Sequence, residues 1–309
     1  MSRIERVYIA THRGDLRLTR ICVASVRRWY PDIPIFLLKD FANGDFSTRE
    51  IEDRWNVQLW RTKELSFGWG FIKLEPLFAA ERTRYLVLDS DIVFVGRVID
   101  ALEQFGEDFV VQQEVQKPAD IPSLYFDADA IRQSFDPSFS GPAFTFNTGQ
   151  YVATSGVLKR ADFDRLVRWS EPRRVLEPES FNPSDQGVLN YVVLEKAASG
   201  AITVARTPFM KWGAAEMSEF QLPSLDGNSP YPYLIHWAGL KKRRLGRMLR
   251  SDILREFERA YYARVPNGSL RQLARTARDE CEFWYRRAMR FVKKAPSAIG
   301  FPNYAARDS

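Results

Sequence analysis

Residues 85–95 read YLVLDSDIVFV, with two acidic side chains, Asp89 and Asp91, set into an otherwise apolar run. The four apolar residues before Asp89 have the length of a buried strand, and those after Asp91 keep the chain inside the molecule. Carboxylates in such a run need a compensating partner, because an unpaired buried charge is costly. A divalent cation supplies one: where a strand ends and the chain turns, two carboxylates one residue apart can reach the same point. The alternative is a strand-end pair that caps a helix. Asp-x-Asp alone is a common pattern, and it recurs at Asp127/Asp129 and Asp162/Asp164. The last pair falls in a helical pattern, where residues two apart face different ways. The Asp127 pair lies in an irregular stretch with no strand leading into it.

Outward from this segment, short apolar runs alternate with helical patterns. Arg6–His12 (RVYIATH), 33–38, 57–60 and 85–88 read as strands; 15–29 and 71–80 read as helices. Such alternation predicts an α/β fold, with a mostly parallel central sheet flanked by helices. In sheets of this kind ligands gather at the carboxyl ends of the strands. The polar residues ending apolar runs are Thr11, His12, Asp40, Asp89 and Asp91. Residues 117–142, rich in Pro, Ser and Asp with interspersed aromatics, read as a long loop. Beyond it, 143–154 reads as regular structure, and 158–169 and 185–194 read as helices.

Composition narrows the chemistry. The 309 residues include two cysteines, Cys22 and Cys281, and two histidines, His12 and His236. A cysteine-rich zinc site or disulfide framework is excluded, so a bound metal must rest largely on carboxylate oxygens, which favours Mn²⁺ or Mg²⁺. The N-terminus runs straight into the first strand without the apolar core of a secretory signal, so a cytoplasmic location is expected. The net charge of +6 is uneven: residues 241–294 carry 17 Lys/Arg against 6 Asp/Glu. No base-stacking or groove-reading motif accompanies that charge, so nucleic acid is not expected as a partner.

Four motifs, in order, resemble those of the family 8 glycosyltransferases, GT-A enzymes related to bacterial lipopolysaccharide galactosyltransferases and glycogenin. They are Asp89-Ser90-Asp91 with VIDAL at 98–102; Phe146-Asn147-Thr148-Gly149 leading into YVATSGVLKR; Asp185-Gln186-Gly187-Val188-Leu189-Asn190; and His236-x-x-Gly239-x-x-Lys242. The resemblance implies a GT-A (nucleotide-diphospho-sugar transferase) fold and transfer of a sugar, with retention, from a nucleotide-sugar donor to a glycan or lipid-linked acceptor. It implies Asp89, Asp91 and His236 as Mn²⁺ ligands, with Ser90 between the two carboxylates as a donor-binding residue. Lys242 and the backbone at Gly239 would meet the donor diphosphate. Asn147, Asp185 and Gln186 would lie at the donor sugar or the reacting carbon, and Lys73, in GWGFIKLEPL, near the donor. Lys73 reads otherwise as a surface lysine, His236 as a satisfied core histidine, and Ser184–Asp185 as a helix cap.

The match has departures. Where the family carries an Asp and an Asn-Tyr for the base and ribose, this chain has Ala10-Thr11-His12-Arg13. Thr11 and Asp40 are the substitute candidates, and uridine is expected by analogy. Gly187 replaces an acidic residue, and Arg243-Arg244 follow Lys242 where the family often has Pro-Trp. Asp185 is the one motif carboxylate besides the metal ligands, which points to front-face transfer rather than double displacement.

Two rivals accompany this reading. One is a non-catalytic module that binds nucleotide-sugar or carbohydrate. The other is a haloacid-dehalogenase-like phosphatase, whose second motif Ser155 would mimic.

The expected division is a catalytic domain at 1–245 and a basic helical extension at 246–309. From Leu270, apolar residues recur at 273, 274, 277, 281, 284, 288 and 291 with arginines and lysines between them, which is helical spacing. Two readings stay open. The stripe at 268–294 either meets an anionic membrane at its cytoplasmic face or packs on the catalytic domain, leaving the charges solvated.

Overall fold

The computed structural model describes residues 3–62, 66–68, 70–170, 173–213, 217, 220–225, 229–239 and 244–294. The first half carries the expected β1 (Arg6–His12), α1 (Leu16–Trp29), β2 (Ile35–Asp40) and β3 (Val57–Leu59), with a further helix, α2 (Arg49–Trp55), that the sequence reading did not mark. A 3-10 helix (Phe71–Phe78) replaces the expected helix at 71–80; Pro76 lies inside it, and a proline removes a helical donor. Then come β4 (Arg84–Asp89), β5 (Ile92–Phe94), α3 (Val98–Leu102) and β6 (Phe109–Gln112). The long loop contains two short helices, α4 (Ile121–Leu124) and α5 (Ala128–Ser134), and leads to β7 (Gln150–Thr154).

The helix expected at 158–169 does not form. A 3-10 turn (Arg160–Phe163) and β8 (Val167–Arg168) stand there, with β9 (Arg174–Val175) paired to β8. Its apolar residues imitate helical spacing because Leu158, Phe163, Leu166 and Val167 all enter one core from an irregular path. The chain finishes with α6 (Asp185–Ala198), β10 (Val204–Thr207), β11 (Met210–Trp212), β12 (Leu234–His236), α7 (Ser251–Ala263) and α8 (Gly268–Lys294).

Seven strands form the main sheet in the order β10-β6-β7-β4-β1-β2-β3, with β7 antiparallel to both its neighbours and the other pairings parallel. Alternating side chains divide the strands between two cores. Val7, Ile9, Leu86, Leu88, Val110 and Val152 face α1 and α7; Tyr8, Tyr85, Val87, Phe109, Val111 and Tyr151 face α6 and the 3-10 helix. The buried face of α7 (Ile253, Leu254, Phe257, Tyr261) belongs to the same core as α1.

Past Asp89 the chain leaves this sheet. β5 joins a second sheet of order β11-β12-β5, antiparallel to β12 with His236 opposite Ile92. Strand pairing therefore carries His236 to the end of β4.

Candidate active site

His236 Nε2 lies 3.3 Å from Asp91 Oδ1 and 3.9 Å from Asp89 Oδ2. One ligand atom from each of the three residues falls within 4.8 Å of the others. The main chain fixes the approach, since Trp237 N–H donates to Asp91 O at 3.0 Å and Trp212 stacks on the His236 ring at 5.4 Å. Asp91 and His236 are buried. Among the described residues neither ring nitrogen of His236 has a hydrogen-bond partner. Two carboxylates and an imidazole with Nε2 turned toward them are a donor set that fits a divalent cation. Gly149 completes the cradle: a Cβ there would stand 2.3 Å from His236 Cε1, 2.6 Å from Asn147 Oδ1 and 3.0 Å from Asp89 Oδ2.

Beside this centre, Lys73 is buried and bridges two carboxylates, 3.1 Å from Asp89 Oδ1 and 3.0 Å from Asp185 Oδ2, while donating to Thr148 O. Burial alone would lower its pKa; Asp185 and Asp89 outweigh that and hold the ammonium above its ordinary value. Lys73 is thus an internal counter-ion and not a surface lysine.

Asp185 begins α6. The Ser184 side chain makes no cap bond and turns to Asn182 Oδ1 instead, so the Ser184–Asp185 cap is realised in backbone form alone. Gln186 is held from both ends. Its Nε2 donates to Leu124 O, and its Oε1 accepts from Asn147 Nδ2 at 3.1 Å. Asn190, one turn on and fully buried, clamps Phe146 by accepting from its N–H and donating to its C=O. The sequence displayed Asn190 within the motif but gave it no role.

These groups line one cleft of about 350 Å³ at the carboxyl end of the sheet, which includes Lys73, Asp89, Asp91, Asn147, Asp185, Gln186, His236 and Gly239. Gly239 has φ 72°, in the left-handed region. Lys242 lies outside the described residues.

Three expected positions do not line the cleft. Thr11 is buried and shares a 2.6 Å hydrogen bond with Thr19. Asp40 accepts from Ala42, Phe67 and Gly68 N–H groups and so shapes the loops beyond β2. Ser90 donates to Asp15 Oδ2, which also lies 3.0 Å from His12 Nε2. Asp15, a buried carboxylate linking the first strand to the Asp-Ser-Asp turn, escaped sequence reading because it stands where an ordinary helix cap would.

The other Asp-x-Asp pairs are structural. Asp127 caps α5 and Asp129 pairs with Arg132. Asp162 pairs with Lys196, and Asp164 accepts from Trp169. Ser155 lies just past Thr154, which pairs with Arg84 at the opposite end of β4 from Asp89. The phosphatase alternative therefore lacks its second motif.

Fold and site together define the class: a GT-A fold whose Asp-Ser-Asp turn lies in a cleft where Asp89, Asp91 and His236 could hold a metal ion. The fold is shared with the apo structure of the WbbM bifunctional glycosyltransferase, at TM-score 0.54 and 13% identity, over 85% of this chain and 52% of that one. It is shared equally with the galactosyltransferase LgtC, solved in complex with donor and acceptor sugar analogs: TM-score 0.52, 14% identity, 84% of this chain and 95% of that one. The chain thus spans about half the length of WbbM. The sequence matches no protein-family model and no curated protein. At such identities the likeness is one of fold.

Proposed function

We propose that this protein is a metal-dependent glycosyltransferase that moves a sugar, with retention, from a nucleotide-sugar donor, UDP-linked by analogy, to a glycan or lipid-linked acceptor. One observation carries the reading: Asp89, Asp91 and His236 converge at the mouth of a cleft whose other wall holds Asp185, Gln186 and Asn147. Mn²⁺ or Mg²⁺ held there would supply Lewis-acid stabilisation of the departing diphosphate. Gly239 and Lys242 would meet that diphosphate, and the nucleoside would lie toward the ends of β1 and β2, where Thr11 and Asp40 set the loops.

Lys73 keeps Asp185 paired and buried, which removes it as a free nucleophile and favours front-face transfer. The Gln186 amide, fixed at both ends, faces the donor carbon and supports the positive charge that develops there. The non-catalytic alternative does not require Asp185 and Gln186 at a single cleft wall.

The test is a thermal-shift panel of nucleotide sugars with and without Mn²⁺, followed by donor turnover. A ligand that binds the native state alone raises the melting temperature. The expected result is a Mn²⁺-dependent rise that is lost in Asp91→Asn and His236→Ala. Asp185→Asn and Gln186→Ala should keep the rise and lose turnover. A rise that is the same without metal, or undiminished turnover in the last two variants, refutes the assignment.

A second proposal concerns α8. Gln272, Arg275, Thr276, Glu280 and Phe283 turn toward the domain, whereas Leu270, Leu273, Trp284 and Tyr285 are exposed. The side of the helix toward the domain is thus mostly polar, with Phe283 as its apolar member, which speaks against the reading in which the stripe packs on the domain. An outward apolar stripe on a basic segment suits an anionic membrane surface.

A further inference from the structure

We infer that Glu114 and Tyr125 are positioning residues for Gln186, acting through the arm that forms one wall of the cleft; this rests on the glycosyltransferase reading for its effect on turnover, though not for its geometry. The arm is held by three successive carbonyl groups. Ser123 O accepts from Asn182 Nδ2, Leu124 O from Gln186 Nε2 and Tyr125 O from Asn182 N–H, at 2.9, 3.0 and 2.9 Å. Phe126 then bridges Phe181, and Asp127 N–H donates to Ser180 O. Residues 123–127 therefore run as an irregular ribbon along 180–186.

Hydrogen bonds to carbonyls fix the arm relative to the start of α6, yet they do not fix either against the sheet. Tyr125 does. Its side chain is buried at 1% exposure, and its hydroxyl donates to Glu114 Oε2 at 3.0 Å, just beyond the end of β6. Gln116 Nε2 donates to the same oxygen at 2.8 Å. Burial, opposed by these two hydrogen bonds, raises the Glu114 carboxyl above its ordinary value.

Gly187 is the other half of the device. A Cβ at that position would stand 2.4 Å from Tyr125 O. A side chain there pushes the arm away, so the glycine that departs from the family pattern is the condition for this wall to close on Gln186. The orientation of the Gln186 amide follows: its NH₂ is spent on Leu124 O, and its oxygen is drawn toward Asn147. Sub-ångström placement matters at such a position, since a misplaced group can cost about 100-fold in rate.

The experiment compares Tyr125→Phe, Glu114→Ala, Glu114→Gln and Gly187→Ala with the full chain. The first readout is independent of activity: the side-chain NH₂ cross-peak of Gln186 in a ¹⁵N spectrum, identified by its loss in Gln186→Glu. It should move in Tyr125→Phe, Glu114→Ala and Gly187→Ala and stay in Glu114→Gln, which retains an acceptor oxygen for the Tyr125 hydroxyl. The second readout is turnover: kcat should fall about 10- to 100-fold in the three shifted variants, with donor KM within about twofold and Glu114→Gln close to wild type. An unmoved cross-peak in Tyr125→Phe, or a kcat loss in Glu114→Gln equal to that in Glu114→Ala, overturns the inference. A moved cross-peak in a protein without sugar transfer leaves the positioning intact and sinks the enzymatic reading alone.

Discussion

A single hydrogen atom at residue 149 decides how closely the metal ligands gather. Any side chain there collides with His236, Asn147 and Asp89 at once. Gly149→Ala should therefore crowd the ligands and weaken Mn²⁺ binding by about 10- to 100-fold, the scale set by disturbing the surroundings of a metal ligand. Titration of Mn²⁺ by calorimetry or electron paramagnetic resonance checks this; unchanged affinity would show that the cradle tolerates a methyl group. At this scale the sequence was generous with the residues that bear chemistry, because carboxylates inside YLVLDSDIVFV demand a partner. It was silent on Asp15, Glu114 and Asn190. Asp15 and Asn190 act through partners far along the chain, and Glu114 through Gln116 and Tyr125 in an irregular stretch, and periodicity marks neither case.

Among the elements, strands with clean apolar runs were legible and the irregular walls of the cleft were not. β1 and β4 carry their own signal, whereas the 123–127 ribbon and the turn at 160–163 are held by contacts that periodicity does not report. The attachment of α8 is another such case: spacing revealed a stripe, and only the ion pairs reveal which side docks. Glu50 on α2 is their hub, accepting from Arg271 and Arg275 of α8, Tyr261 of α7 and Arg20 of α1. Burial would raise its carboxyl, but the bonds from Arg275 and Tyr261 and the neighbouring guanidinium charges prevail and hold it at about 2, below its ordinary 4.5. A carboxylate depressed in this way stabilises the fold above its unfolded value and loses that contribution as pH falls from about 4.5 toward 2. Glu50→Gln should cost about 1–2 kcal/mol at neutral pH, allowing for the solvent around its arginine partners, and should flatten the acid limb of stability. Thermal unfolding followed between pH 2 and 7 tests both; parallel curves for the two proteins would remove Glu50 from the account.

For the whole molecule, the arrangement of α8 separates two surfaces: the candidate cleft at the strand ends and an apolar stripe facing outward. On the docking side Arg271 and Arg275 pair with Glu50, Asp279 with Arg17, and Glu280 with Arg244. Binding to anionic vesicles should therefore depend on Trp284 and Tyr285, which are 55% and 66% exposed. The double variant Trp284→Glu/Tyr285→Glu should lower flotation with such vesicles at least about tenfold and leave turnover on a soluble acceptor unchanged, since burying each ring is worth about 1.5–3 kcal/mol. Equal flotation of the variant, or none by the wild type, would refute the membrane proposal.

The route by which His236 reaches Asp91 has a consequence for synthesis of the chain. Many elements lie between the two residues in the chain, and they meet only when β12 pairs with β5. A ribosome-bound fragment that ends before residue 236 can form the Asp-Ser-Asp turn but holds an incomplete cage. The imidazole therefore joins the carboxylate pair only after translation has passed β12, so the three-residue cage is among the later features of the fold to be assembled.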